Sequence, residues 1–306
     1  MPSPVVVPPF VDAHHHLWDL DAVHYPWLMA RGVRRFFGDP TPIQKNYLAT
    51  DLLADAAGLP LTGSVHVQVG AAEGDILAET RWLQSVAEQP EGPCLPSAII
   101  AFCDLARADA PAVLEAHLQS ARVRGVRQIL GRAPHDEQQA ASDALIDDAR
   151  FWQHLGVAQQ LGLSFDLQIV AAQAPRVAAR LERLPALRVA LCHCGSPWDQ
   201  SVAGLAAWRE ALRTLAALPQ VHCKLSGFGM FDPLWSVDSI RPLIETCVEV
   251  FGAARCMFGS NFPVEKLARG YAELWRAYAA ITASLAQSER RRLFDGTARE
   301  FYRFAE

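Results

Sequence analysis

The chain has 306 residues, 51% of them hydrophobic, and a formal net charge of −5, which suits one large domain or two small ones. Lys and Arg are scattered, so neither a nucleic-acid footprint nor a polybasic membrane patch is present, and no apolar run approaches the roughly 18 residues of a membrane span. Seven cysteines, an odd number spread thinly, point to reduced thiols in the cytoplasm over a disulfide framework.

The opening stretch MPSPVVVPPF has no charged leader and no long apolar segment, so no secretory signal is expected. From there short β-like runs alternate with longer helical ones. The β-like runs are Val11 to His16, Ser64 to Val69, Ala98 to Cys103, Val123 to Leu130, Leu163 to Val170, Arg188 to Cys194, Val221 to Ser226 and Cys256 to Ser260. Between them lie segments of helical spacing such as ILAETRWLQSVAE, APAVLEAHLQSA, VAGLAAWREALRTLAAL and SIRPLIETCVEVFG. Eight strands, each followed by a helix, predict a single-domain α/β fold of the (β/α)₈ barrel type over residues 1–306. A rim insertion rich in Pro and aromatic residues is expected at about 17–63. An open doubly wound sheet fits less well, because no glycine-rich phosphate loop follows the first strand.

Side chains alternate between the two faces of a strand, so each run divides into two sets. The first run, in FVDAHHHLWDL, sets Asp12, His14 and His16 against Val11, Ala13 and His15. SVHVQV sets Ser64, His66 and Gln68 against three valines; LSFDLQIV sets Ser164, Asp166 and Gln168 against Phe165, Leu167 and Ile169; VHCKLS sets His222, Lys224 and Ser226 against Val221, Cys223 and Leu225. Apolar faces are expected to cover the helices and the polar sets to point into the barrel, where they must be hydrogen-bonded or do chemistry.

A His-x-His pair on one strand can present two imidazoles to one metal ion or one substrate, or be satisfied in a polar core. His193, at the end of RVALCHCGSPW, joins the pair where the strand opens into a loop at the catalytic rim. Its neighbours Cys192 and Cys194 are expected to face the helices as buried thiols, with a zinc-binding Cys-His-Cys cluster as the alternative. Ser260 and Asn261 in CMFGSNFPVEK reach the rim from the eighth strand. Arg127 can pair with a substrate oxygen or form a rim salt bridge. Trp18, Tyr25, Trp27 and Trp198 flank the mouth, and Glu79 and Arg81 on a helix are expected to be exposed or capping.

Together these motifs resemble the amidohydrolase superfamily, in the amidohydrolase-related branch that includes sugar lactonases and 2-pyrone-4,6-dicarboxylate lactonase. VDAHHHLWDL, HYPWL, SVHVQV, RGVRQIL, GLSFDLQI, HCGSPW, KLSG and MFGSNFPVEK carry the resemblance, in that order along nearly the whole chain. It implies a distorted (β/α)₈ barrel and hydrolysis at an acyl carbon, with His14, His16 and His193 matching the family's active-site histidines. Metal-dependent members add a fifth-strand histidine, where this chain has Asp166 and Gln168, and an eighth-strand aspartate, where it has Asn261. Asparagine can orient a water but cannot take its proton.

The expectation is therefore a histidine-assisted lactone hydrolase that needs no cofactor or holds one weakly bound Zn²⁺ on His14, His16 and His193. His193 is the polarising or proton-transfer group, His14 and His16 are base, donors or metal ligands, and Asn261 orients water. His66, Gln68, Arg127, Asp166, Gln168, His222, Lys224 and Trp198 are the candidate contacts of a small-molecule substrate. A non-oxidative decarboxylase and a barrel that binds without catalysis are the alternatives. The sequence does not state an oligomeric state.

Overall fold

The computed structural model describes residues 6–89, 94–133, 136 and 139–304. The start of the stretch considered as a leader, Met1 to Val5, lies outside them. Eight parallel strands run in the order of the chain: β1 (Phe10–His15), β2 (Leu61–Val67), β3 (Ala98–Ala101), β4 (Val123–Val126), β5 (Ser164–Leu167), β6 (Val189–Leu191), β7 (Val221–Leu225) and β8 (Cys256–Phe258). Six of the expected runs contain their strand, and the first two overlap strands that begin earlier, at Phe10 and Leu61. Most stop short at their carboxyl ends, because the chain leaves the sheet there to build the rim.

Between β8 and β1 two backbone hydrogen bonds replace a regular ladder: Asn261 N–H donates to the His14 carbonyl (2.6 Å) and His16 N–H to that of Phe262 (2.7 Å). The barrel of this single domain is thus closed at the rim by the residues of interest. Helices between the strands cover the outside, and their starts are set by local chemistry. Asp148 and Ser201, for example, accept N–H bonds at the first turns of the helices Ala149–Gln160 and Val202–Ala216.

The interior is two-sided. Val11, Ala13, Val65, Val67, Ala98 and Ile100 fill it over β1 to β3, and the C-terminal helix Thr297–Tyr302 plugs its floor with Ala298, Phe301 and Tyr302. Over β4 to β7 it is polar. Register settles the faces: Asp166 pairs with inward Ala190, and Ala190 with His222, so Asp166, His222 and Lys224 point in as expected.

On β2 the expected polarity is reversed. Val65 and Val67 align with inward Ala98 and Ile100 while His66 aligns with outward Ile99. The outer side of β2 is polar because the rim insertion covers it, bringing the Leu17 N–H to His66 Nδ1 (3.0 Å). On β1 a register shift between Asp12 and His15 breaks the alternation. Ala13 faces in, Asp12 faces the helix Tyr271–Ile281, and His14 is turned inward nonetheless.

Candidate active site

Asp12 fixes the two ends of the sheet to each other. Its carboxylate accepts from Ser260 N (2.8 Å), Ser260 Oγ (2.6 Å) and Tyr271 OH (3.0 Å). This holds the loop after β8 so that Asn261, in a left-handed conformation (φ +57°) that asparagine tolerates better than most residues, faces β1. Gly259 makes the closeness possible, since a Cβ there would lie 2.7 Å from His14 Cβ.

After β6 four consecutive residues adopt positive φ: His193 (54°), Cys194 (54°), Gly195 (69°) and Ser196 (59°). Each non-glycine residue in that region costs about 1–2 kcal/mol, and the strain carries His193 over the rim. Its Nδ1 meets Ser226 Oγ at 2.9 Å. Gly227, at φ +76°, leaves room for the ring, since a Cβ there would lie 2.6 Å from His193 Nδ1.

His14, His16 and His193 converge. The His14 ring centroid lies 4.5 Å from that of His193 and 5.1 Å from that of His16. None of the three is more than 6% exposed. All three are held neutral, by burial first. For His14 and His193 the nearby Lys224 and Arg127 charges add to this, leaving the imidazoles well below their usual range; His16 is pushed down to about 3.

Tautomers follow from partners. His16 Nδ1 donates to the Val67 carbonyl (2.7 Å), so Nε2 is a lone pair. Asn261 Oδ1 lies 3.3 Å from that lone pair, and Asn261 Nδ2 has no partner. Turning the amide over satisfies both, and leaves Oδ1 free to accept. Both ring nitrogens of His14 are buried without a partner. His193 Nε2 makes no hydrogen bond among the described residues.

The other expected contacts separate into groups. Arg127, past the end of β4, donates to the Gln68 carbonyl (2.7 Å) and to Gln168 Oε1 (3.4 Å), tying three strand ends together just below the mouth. It has no carboxylate in ion-pair range among the described residues. Asp166 and Lys224 lie deeper, paired at 2.5 Å, with Tyr302 OH on the second carboxylate oxygen (2.9 Å). His222 sits at the floor, its ring 4.9 Å from that of Phe301, so it is not brought to the mouth. His66 stands behind His16 on the outer side of β2. Its Nδ1 accepts from Leu17, so its unpartnered Nε2 carries the proton, 4.0 Å from Glu79.

Two expectations need correction. Glu79 is neither exposed nor a cap: it is 1% exposed, accepts from Val69 N (3.1 Å), and burial pushes it up to about 7. Cys192 does not face the helices. Val189 and Leu191 do, while Ala190 lies inside, so Cys192 follows it inward, whereas Cys194 packs outside. The alternation could have shown this; nothing local in the sequence marks Glu79 or Tyr302.

At the mouth Trp198 donates to the Arg132 carbonyl (2.9 Å) and packs edge-on between Phe36 of the insertion and Phe231. Phe231 lies on a helical turn, Phe228–Phe231, anchored by Glu265, which accepts from Gly229 N (2.9 Å) and Trp235 Nε1 (2.7 Å). Burial raises Glu265 from 4.5 to about 8. The folded chain thus keeps a proton that the unfolded chain releases above its ordinary value. Its contribution to stability is full below about pH 4.5 and is lost as pH rises through about 8. Glu265→Gln should match the wild type near pH 5 and unfold a few degrees higher at pH 8. Calorimetry at both pH values checks this; parallel midpoints at both would refute it.

A divalent metal fits the donors present. His14 supplies unpartnered nitrogens, and one of them lies with an Asp166 carboxylate oxygen and Cys192 Sγ, all within 4.8 Å of one another. Nitrogen, oxygen and sulfur together are the donor set of Zn²⁺.

Comparison with known proteins agrees with this architecture. The sequence model of the family described as Amidohydrolase matches residues 11–304. The chain is 37% identical to the uncharacterised protein y4mH of Sinorhizobium fredii, over 96% of this chain and 98% of that one. It is 31% identical to L-fucono-1,5-lactonase of Burkholderia multivorans, over 97% of this chain and 96% of the relative. A crystal structure of an amidohydrolase from Burkholderia multivorans with bound zinc superposes with a TM-score of 0.81 at 28% identity, covering 97% of this chain and all of the other. A closed eight-stranded barrel with histidines gathered at the ends of β1 and β6, matched along its length by these relatives, makes this chain a member of the amidohydrolase family, in its lactonase-like branch.

Proposed function

We propose that this chain is a hydrolase that opens the ring of a sugar-acid lactone by attack of water on the ester carbonyl. The observation that carries the reading is the buried group of three neutral histidines around His14 nitrogens that have no partner among the described residues, with Arg127, which has no carboxylate in ion-pair range among those residues, nearby. The relatives named L-fucono-1,5-lactonase support a sugar-acid lactone over a carboxylated aromatic one.

A lactone is an activated ester, so one base and a few donors suffice. His193 works in the tautomer that donates Nδ1–H to Ser226 Oγ, 2.9 Å away, and keeps its Nε2 lone pair free, which makes it the base that takes a proton from water. Asn261 Oδ1, released by the turned amide, accepts from and orients that water. His14 and Arg127 supply donors for the oxygen on which negative charge develops; as the intermediate collapses and the ring C–O bond breaks, the imidazolium formed on His193 gives its proton to the leaving ring oxygen. A divalent metal held at His14 would, when bound, polarise the carbonyl and lower the pKa of water. The aromatic wall of Phe36, Trp198 and Phe231 gives a sugar ring an apolar face to lie against.

Acid release from a panel of sugar-acid 1,5-lactones, followed by a pH indicator with and without Zn²⁺, tests the reading. Turnover by the purified protein is the expected result. Carbon dioxide release from carboxylated substrates would mark a decarboxylase instead, and ligand-induced stabilisation without turnover a binding protein.

A further inference from the structure

The end of β6 holds a thiol that the hydrolytic reading leaves unused. Cys192 is wholly buried on the inner face, and among the described residues its one hydrogen-bond contact is a 3.9 Å approach to the Ala190 carbonyl. Beside it lie Asp166 and His14, whose two ring nitrogens are buried without partners. An imidazole left in that state costs stability that a ligand would recover.

We propose that Cys192 is a thiolate ligand of a divalent metal, Zn²⁺ by its donor chemistry, held together with His14 and Asp166; the proposal rests on reading this barrel mouth as the hydrolytic site. It replaces an all-histidine set, in which His16 has no free lone pair: Nδ1 is given to Val67 and Nε2 to Asn261. Charge favours sulfur as well. Lys224 and Arg127 are both buried near His14 and Cys192, and Asp166 is the carboxylate that faces them. A dication held by neutral imidazoles alone would add two charges to an already cationic core, and a thiolate removes one of them.

Binding balances as Cys192–SH plus M²⁺ giving Cys192–S–M⁺ and a proton released to solvent. A cysteine thiol carries its proton near neutral pH, so that proton leaves as the metal binds. Lys224 and Tyr302 each occupy one lone pair of an Asp166 oxygen, fixing the carboxylate while leaving further lone pairs for the metal. The Lys224 ammonium repels the ion, so affinity is modest, and the soft sulfur selects Zn²⁺ and Co²⁺ over Mg²⁺ and Ca²⁺.

Titration of the chelator-treated full chain with Co²⁺ tests the proposal. The wild type should develop a near-ultraviolet sulfur-to-cobalt charge-transfer band and release one proton per cobalt from the thiol. Cys192→Ser should lose the band and bind cobalt about tenfold or more weakly, while Cys103→Ser, away from the site, keeps it. Should Cys192→Ser fail to fold, cadmium NMR of the wild type reports directly whether a sulfur is bound. Cobalt bound without the band, a band that survives in Cys192→Ser, a cadmium shift without sulfur, or no stoichiometric binding overturns the assignment. Lactone turnover by the metal-free protein that never binds cobalt would sink the ligand and keep the hydrolase. A cobalt band in a protein inert to every lactone would do the reverse.

Discussion

His193→Ala is expected to lower kcat for a hydrolysed lactone by about 100-fold or more, with KM little changed and the thermal midpoint close to wild type. The reason is that His193 joins three things: an Nε2 at the rim with no hydrogen bond among the described residues, an Nδ1 held by Ser226 Oγ at 2.9 Å, and contact with His14. A loss of that size is about 2.7 kcal/mol of transition-state stabilisation, within what one positioned base supplies. The fold should survive, since the side chain gives up one hydrogen bond and its positive φ belongs to a turn of four such residues. His193→Asn tolerates that backbone better than alanine and should be as inactive. The pH profile offers a second readout. The neutral imidazole is the working form, and burial with the Arg127 charge holds His193 well below 6.5. Activity should therefore persist below pH 6.5 before its acid limb begins. Turnover unchanged in both variants would remove His193 from the mechanism.

The sequence made the barrel legible because eight apolar runs and the helical segments between them repeat a simple period. It also made the rim legible where chemistry is concentrated: His14, His16, His193 and Asn261 come together as expected. Alternation fails where the partner of a face cannot be read. His66 points away from the interior because the segment after β1 brings the Leu17 N–H to it, a contact spanning 49 residues, and the helix Ile76–Ala87 brings Glu79. Asp12 faces outward because a register shift intervenes before His14. Cys192 departs from its expected face for the opposite reason: the strand alternates regularly as far as Leu191, and only the left-handed turn beyond lets His193 reach the rim as well. Tyr302 shows the limit, since no local pattern says that a C-terminal helix will plug the barrel and place its hydroxyl on Asp166.

Lys224→Met is expected to destabilise the protein by about 3–5 kcal/mol, a fall in thermal midpoint of roughly 5–8 °C for a chain of this size. Lys224 and Asp166 are each wholly buried and 2.5 Å apart, so deleting the ammonium leaves a carboxylate in the barrel with one remaining donor, Tyr302. The cost lies in that stranded charge more than in the lost attraction, because two ions taken from water regain little beyond their desolvation. The double variant Lys224→Met, Asp166→Asn separates the two: the amide that replaces the carboxylate can still accept from Tyr302 and carries no charge, so most of the stability should return. Calorimetry of the wild type, the single variant and the double variant decides the matter. A single variant as stable as the wild type, with no further gain in the double, would refute the stranded-charge account.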